Sequence, residues 1–265
     1  MQVPIITFHK VDKRFEWGVT RVTPLQFKKI ISFLKTAGYN TISLSDLGND
    51  HLKLPEKPII LNFDDSYESI YANAYPVMQS YNCTATIFII TGYVGKLNLW
   101  DVNLGWIRFK HLSWDHIQEL SDQGFEFGSH SVNHPDLTRI KEKDMYRELD
   151  YSKKEIEDKT GKLVKYISFP FGRYNQRVID YCQQVGYEKG CAFQINRKHK
   201  AKLQGNSFVL KRKAYYLFDG EFSLKAKLGR KPFDFFEDIK LKIINSCSYG
   251  TFLIKSMSYS FWERS

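Results

Sequence analysis

Short apolar runs of strand length recur along the first two thirds of the chain, and a stretch with helical spacing follows nearly every one. Residues 3–8, 58–63 (PIILNF), 84–90 (TATIFII), 125–128, 165–169 and 187–191 read as strands. Between them, Thr23 offers an N-cap, Pro24 the first helical position and Gly38 a stop, while Phe27, Ile30, Ile31 and Leu34 form one apolar face. Helices are also expected over residues 68–81, split near Pro76, and over 113–123, 141–160 and 175–185. Strand–helix alternation implies a parallel sheet covered by outer helices. In 265 residues, 43% of them apolar, a (β/α) barrel fits better than an open doubly wound sheet, and disorder is excluded.

Beyond about residue 198 the pattern fades. Residues 225–231 and 233–244 mix basic and aromatic side chains without a firm helix or strand. The reading is therefore a barrel over residues 1–197 and a basic extension of the same domain over 198–265. The charge follows that division: 15 of the 39 basic and 6 of the 29 acidic residues lie from Gly190 onward, which leaves only +1 of the net +10 for the rest. Such a field attracts an anionic membrane surface, a phosphate-linked lipid glycan or nucleic acid. No nucleic-acid motif accompanies it, so nucleic acid is the least favoured of the three. The N-terminus lacks a basic segment ahead of a long apolar run, and the expectation is a cytoplasmic protein, with peripheral attachment at the inner membrane face as its extension. Cys83, Cys182, Cys191 and Cys247 form no CxxC pair and suggest neither a zinc knuckle nor a disulfide framework.

Two clusters carry chemistry. Asn62-Phe63-Asp64-Asp65-Ser66 ends a buried-type strand, and adjacent carboxylates there are costly unless a cation compensates them. Gly128-Ser129-His130-Ser131-Val132-Asn133-His134 follows another strand. Spaced i and i+4, its histidines would share one side of a helical turn. Both clusters fall at C-terminal strand ends, where barrels place their sites. One carboxylate with two imidazoles suits a catalytic zinc with an open position, and cobalt or nickel can use the same set. The second carboxylate is then left as a general base.

The segments LNFDDSYES, SWDHIQELSDQGFEFGSHSVNHPDLT and ISFPFGRYN resemble, in order, the three leading motifs of the polysaccharide deacetylases, carbohydrate esterase family four. The resemblance covers roughly residues 3–190. It implies a distorted (β/α) barrel and metal-dependent removal of acetyl groups from N-acetylated saccharides. It makes Asp64 the general base, Asp65, His130 and His134 the metal ligands, and Phe171 the backbone donor to the oxyanion. Three departures accompany it. Ser66 stands where a glycine is usual. Ser168 lies near the place of the arginine that often opens the third motif, and Arg173, just downstream, is the candidate to orient Asp64 instead. The family's two late motifs are not found after Gly190. The general acid is then sought in Thr7-Phe8-His9-Lys10, where His9 is the candidate. Trp100, Trp106 and Tyr174 are candidates for stacking on sugar rings, while Trp114 is expected to pack. Two alternatives stay open: a glycan-binding homologue without catalysis, and a binder of anionic membrane or nucleic acid through the basic region.

Overall fold

Seven parallel strands close into a ring in the computed structural model, which describes residues 3–16, 19–101, 107–193 and 207–229. In chain order the strands are β1 (Ile5–Phe8), β2 (Lys10–Val11), β3 (Arg21–Val22), β4 (Asn40–Thr41), β5 (Pro58–Phe63), β6 (Thr86–Ile89), β7 (Glu126–Ser129), β8 (Tyr166–Ser168), β9 (Lys189–Phe193) and β10 (Val209–Ala214). The ring runs β1–β5–β6–β7–β8–β9–β10 and returns to β1, every pair parallel. Strand β4 adds to the first residues of β5, and β2 pairs with β3 outside the ring.

The helices are α1 (Pro24–Thr36), α2 (Leu44–Leu47), α3 (Tyr75–Ser80), α4 (Trp114–Asp122), α5 (Glu142–Thr160), α6 (Gln176–Val185) and α7 (Glu221–Lys227). Local chemistry sets their ends. Thr23 and Gln26 form a reciprocal capping box on α1, Ser113 accepts the His116 amide at the start of α4, and Gly161 and Gly186 end α5 and α6 in left-handed geometry. The Pro76 split is present: a π-helical turn over Ile70–Ala74 runs into α3, with the proline in its first turn, where no N–H is required.

Alternation along the strands sorts two cores. Ile6, Phe8, Ile59, Leu61, Phe63, Ile87 and Ile167 pack between the ring and its helices. Ile5, Ile60, Phe88, Tyr166 and Cys191 form a smaller cluster of the opposite parity, inside the ring. Gly128 makes room for it, since a Cβ there would stand 2.5 Å from the Phe88 ring. The barrel draws its last strand from beyond residue 198. Val209–Ala214 reads VLKRKA, so three consecutive basic residues hide a strand that pairs with both β9 and β1. Cys83, Cys182 and Cys191 are buried free thiols. No helix among the described residues is long and apolar enough to cross a membrane. Trp106, Cys247, the 197/198 division and the segment 233–244 lie outside the described residues.

Candidate metal centre and its carboxylate neighbour

Strand parity delivers the polar groups to the mouth of the ring. Ile60 faces inward, so Asn62 and Asp64 do as well, Asp64 lying one residue past the end of β5. The same count carries His130 to the mouth from Gly128 on β7, Ser168 from Tyr166 on β8, and Arg212 from Leu210 on β10.

The backbone then turns sharply. Asp65, Ser66, Ser131, His134 and Phe171 all have positive φ, at 67°, 52°, 66°, 56° and 59°. Left-handed geometry costs a non-glycine residue about 1–2 kcal/mol, and its concentration around one mouth marks a site held in place by its surroundings. Ser66 adopts the left-handed turn in which a glycine is usual. His130 and His134 are not on a helical turn as their spacing suggests. They flank a loop, because Ser131 Oγ accepts the His134 amide and the Glu148 carboxylate of α5 accepts the amides of Val132 and Asn133. Those bonds satisfy the backbone without a helical ladder.

Asp65, His130 and His134, all buried, bring one ligand atom each to within 4.8 Å of one another. Asp65 Oδ1 is 3.4 Å from His130 Nε2 and 3.7 Å from His134 Nε2. These separations are long for hydrogen bonds. Tetrahedral ligation at zinc bond lengths places ligand atoms roughly 3.4 Å apart, so the set fits a divalent cation. His130 Nδ1 lies 2.7 Å from the Ser168 carbonyl, which only accepts, so Nδ1 carries the proton and Nε2 presents its lone pair to the centre. Burial alone would lower the His130 pKa, but the Asp65 and Asp64 carboxylates outweigh it and raise it. Burial would raise Asp65, yet His130, His9 and His134 hold it far below the usual carboxylate range. Cation binding at such a set releases protons.

Asp64 stands beside this centre in a different environment. Arg212 Nη1 and Nη2 donate to its two oxygens at 2.8 Å each, and Nη2 also donates to Ser168 Oγ at 2.8 Å. Burial pushes the Asp64 carboxyl up, but the guanidinium and His130 outweigh it, and the group stays ionised below its ordinary range. The rings of Phe88 and Phe193 flank the Arg212 guanidinium at 5.2 and 4.9 Å. The orienting arginine is therefore Arg212. Arg173 instead pairs with Asp136, Nη1 to Oδ2 at 2.8 Å. The serine at the usual arginine position was the available signal, since Ser168 leaves space that Arg212 fills from a strand the pattern hides.

Phe171 lies with its ring 4.6 Å from that of His134. His9 is half-buried and stacks on Phe193 at 6.0 Å. Burial lowers its pKa, against the opposing pull of Asp65 and Asp64. Trp100 packs 4.2 Å from His134. Tyr174 stacks on Phe169 at 5.1 Å, and it and Trp114 pack against the outer core. His111, which none of the sequence motifs singles out, contacts the main chain of Asp65.

Fold and site together define a (β/α)-barrel protein with a buried Asp/His/His group at its mouth whose spacing could hold a metal ion. A polysaccharide deacetylase family model matches residues 51–190. The chain is 27% identical over 192 residues to YxkH of Bacillus subtilis, covering 71% of this chain and 63% of that protein. It is 28% identical over 180 residues to the poly-beta-1,6-N-acetyl-D-glucosamine N-deacetylase of Staphylococcus aureus, covering 64% and 60%. It thus spans less than two thirds of either relative's length. Among solved structures, the deacetylase PplD of Streptococcus pyogenes in complex with acetate superimposes with a TM-score of 0.71 at 23% identity, covering 86% of this chain and 98% of that one. BC0361, a polysaccharide deacetylase from Bacillus cereus, gives 0.71 at 25% identity, covering 86% and 69%. The protein belongs to the polysaccharide deacetylase family, carbohydrate esterase family four.

Proposed function

We propose that the protein is a metal-dependent hydrolase that removes N-acetyl groups from a saccharide. The observation that carries this reading is the convergence of Asp65, His130 and His134 beside a second, ionised carboxylate, Asp64, that Arg212 holds in place. The N-acetylglucosamine polymer in the name of the Staphylococcus aureus relative supports an N-acetylated saccharide as substrate class. The basic charge of the C-terminal region suits an anionic membrane surface or a phosphate-linked lipid glycan as a further partner.

A divalent cation held by Asp65, His130 and His134, for which zinc is the simplest choice, would supply a Lewis acid that polarises a carbonyl and makes water more acidic. Asp64 accepts the proton of the water that attacks the acetamide carbon, and Arg212 keeps the carboxylate ionised and aimed for that task. The backbone N–H of Phe171 donates to the carbonyl oxygen as it gains charge, an effect typically worth about 3 kcal/mol per donor. His9 delivers a proton to the departing nitrogen as the C–N bond breaks, since an unprotonated amide nitrogen is too poor a leaving group. The products are acetate and an amino sugar.

The test is acetate release from N-acetylated oligosaccharides by the intact protein, with and without a chelator, and by Asp64→Asn. Chelation is expected to abolish release and added zinc or cobalt to restore it. The variant is expected to bind metal normally and to lose at least about 100-fold in turnover. Full turnover in Asp64→Asn, or in chelated enzyme, overturns the assignment.

A further inference from the structure

The metal centre is braced from one side by a chain of contacts that begins on the loop between β6 and α4. Trp100 Nε1 donates to His111 Nε2 at 3.1 Å, and His111 Nδ1 lies 2.6 Å from the main-chain carbonyl oxygen of Asp65. The direction of this chain follows from the atoms. An indole nitrogen only donates, so His111 Nε2 accepts. The ring proton therefore sits on Nδ1, and Nδ1 donates to the carbonyl. His111 is fully buried and stacks on Tyr67 at 4.9 Å. Its chain neighbours are tied to the same turn: the Leu112 amide donates to the Ser66 carbonyl and the Glu68 amide to the Lys110 carbonyl, each at 2.8 Å.

The recipient of the bond is itself one of the three residues of the proposed ligand set. Asp65 has a φ of 67°, and its peptide orientation sets where the carboxylate points relative to His130 and His134. The other end of the chain reaches the third ligand directly, since the Trp100 ring lies 4.2 Å from that of His134, tilted by 42°. One loop thus contacts two of the three ligand residues, one through a hydrogen-bonded strut and one through a ring face.

We infer that His111 and Trp100 are positioning residues, which set the directions in which Asp65 and His134 present their ligand atoms. This rests on the metal reading above. Its test uses the full chain and zinc itself. Zinc dissociation constants are measured by competition with a chromophoric chelator for wild type, His111→Phe, Trp100→Phe, the double variant and His111→Gln, with thermal melting of the metal-free proteins as a check on folding. Cobalt substitution adds a visible spectrum that reports ligand geometry.

Each single phenylalanine variant is expected to bind zinc about 10–100-fold more weakly, as loss of partners behind metal ligands generally does. The cobalt spectrum shifts in both. The double variant loses less than the product of the two single losses, because both residues act through one chain. His111→Gln retains a donor and an acceptor and recovers most of the affinity. Zinc binding within about twofold of wild type in either folded phenylalanine variant overturns the inference. Losses that multiply in the double variant also overturn it. Should His111→Phe fail to fold, Trp100→Phe decides the matter, since Trp100 is only half-buried. Unaltered variants beside a zinc-binding wild type sink this inference alone. A wild type that binds no zinc sinks the metal reading and this inference with it.

Discussion

Replacing Arg212 by methionine keeps most of the side-chain volume and removes the guanidinium. The structure sets the magnitude. Arg212 is fully buried, the Asp64 carboxylate is nearly so, and two bonds of 2.8 Å join them. Removing one partner of a buried pair strands the other charge and costs about 3–5 kcal/mol, a large part of the 5–15 kcal/mol that typically holds a domain together. Urea unfolding at fixed pH reads the loss. Asp64→Asn in the same background removes the stranded charge, so the double variant is expected to be more stable than the sum of the single losses implies, by about 1–3 kcal/mol. The pH dependence gives a second reading. In the wild type Asp64 titrates below its unfolded value of about 3.9, so its contribution is complete above that value and disappears as pH falls through the depressed folded one. Without Arg212, burial dominates and raises the folded pKa above the unfolded one, so the variant loses stability as pH rises. The gap between the two proteins is therefore widest at neutral pH and narrows towards pH 4. A variant within about 1 kcal/mol of wild type at pH 7, or a gap that does not change with pH, would refute the argument.

Two further outcomes follow from particular contacts. His9 is held below the ordinary imidazole pKa by burial, so if it supplies the leaving-group proton, turnover falls as pH rises through that depressed value and the limb vanishes in His9→Gln; an unchanged pH–rate profile in the variant removes it from the reaction. Glu148→Ala strips the acceptor from the Val132 and Asn133 amides and the Asn133 side chain; unfolding should show a loss of about 1–3 kcal/mol, and calorimetry should show weaker zinc binding, because the loop between His130 and His134 loses its anchor.

How much of this was legible beforehand varies by element. The strands from residue 58 to 193 announce themselves because burial on both faces demands continuous apolar runs such as PIILNF and TATIFII. Caps at Thr23 and Ser113 and glycine stops at 161 and 186 are local chemistry, and sequence carries local chemistry directly. Strand β10 broke the rule. Arg212 is charged yet points into the barrel, and its compensating carboxylate lies 148 residues earlier. Periodicity cannot register a partner that remote. The histidine pair misled for a similar reason, since its spacing fits a helix but Ser131 Oγ and Glu148, 16 residues beyond Val132, take up the backbone bonds a helix would have used.

By itself the sequence determined the alternation of strands and helices, and the residue types at the strand ends that make a metal centre chemically reasonable. These depend on burial periodicity and donor chemistry, which are properties of short segments. Only the tertiary structure decided which arginine holds Asp64, that His111 reaches the Asp65 carbonyl and Trp100 the His134 ring, and that the ring closes through β10. Each of these is a contact between segments far apart in the chain, and its energy depends on a distance that only the closed barrel sets.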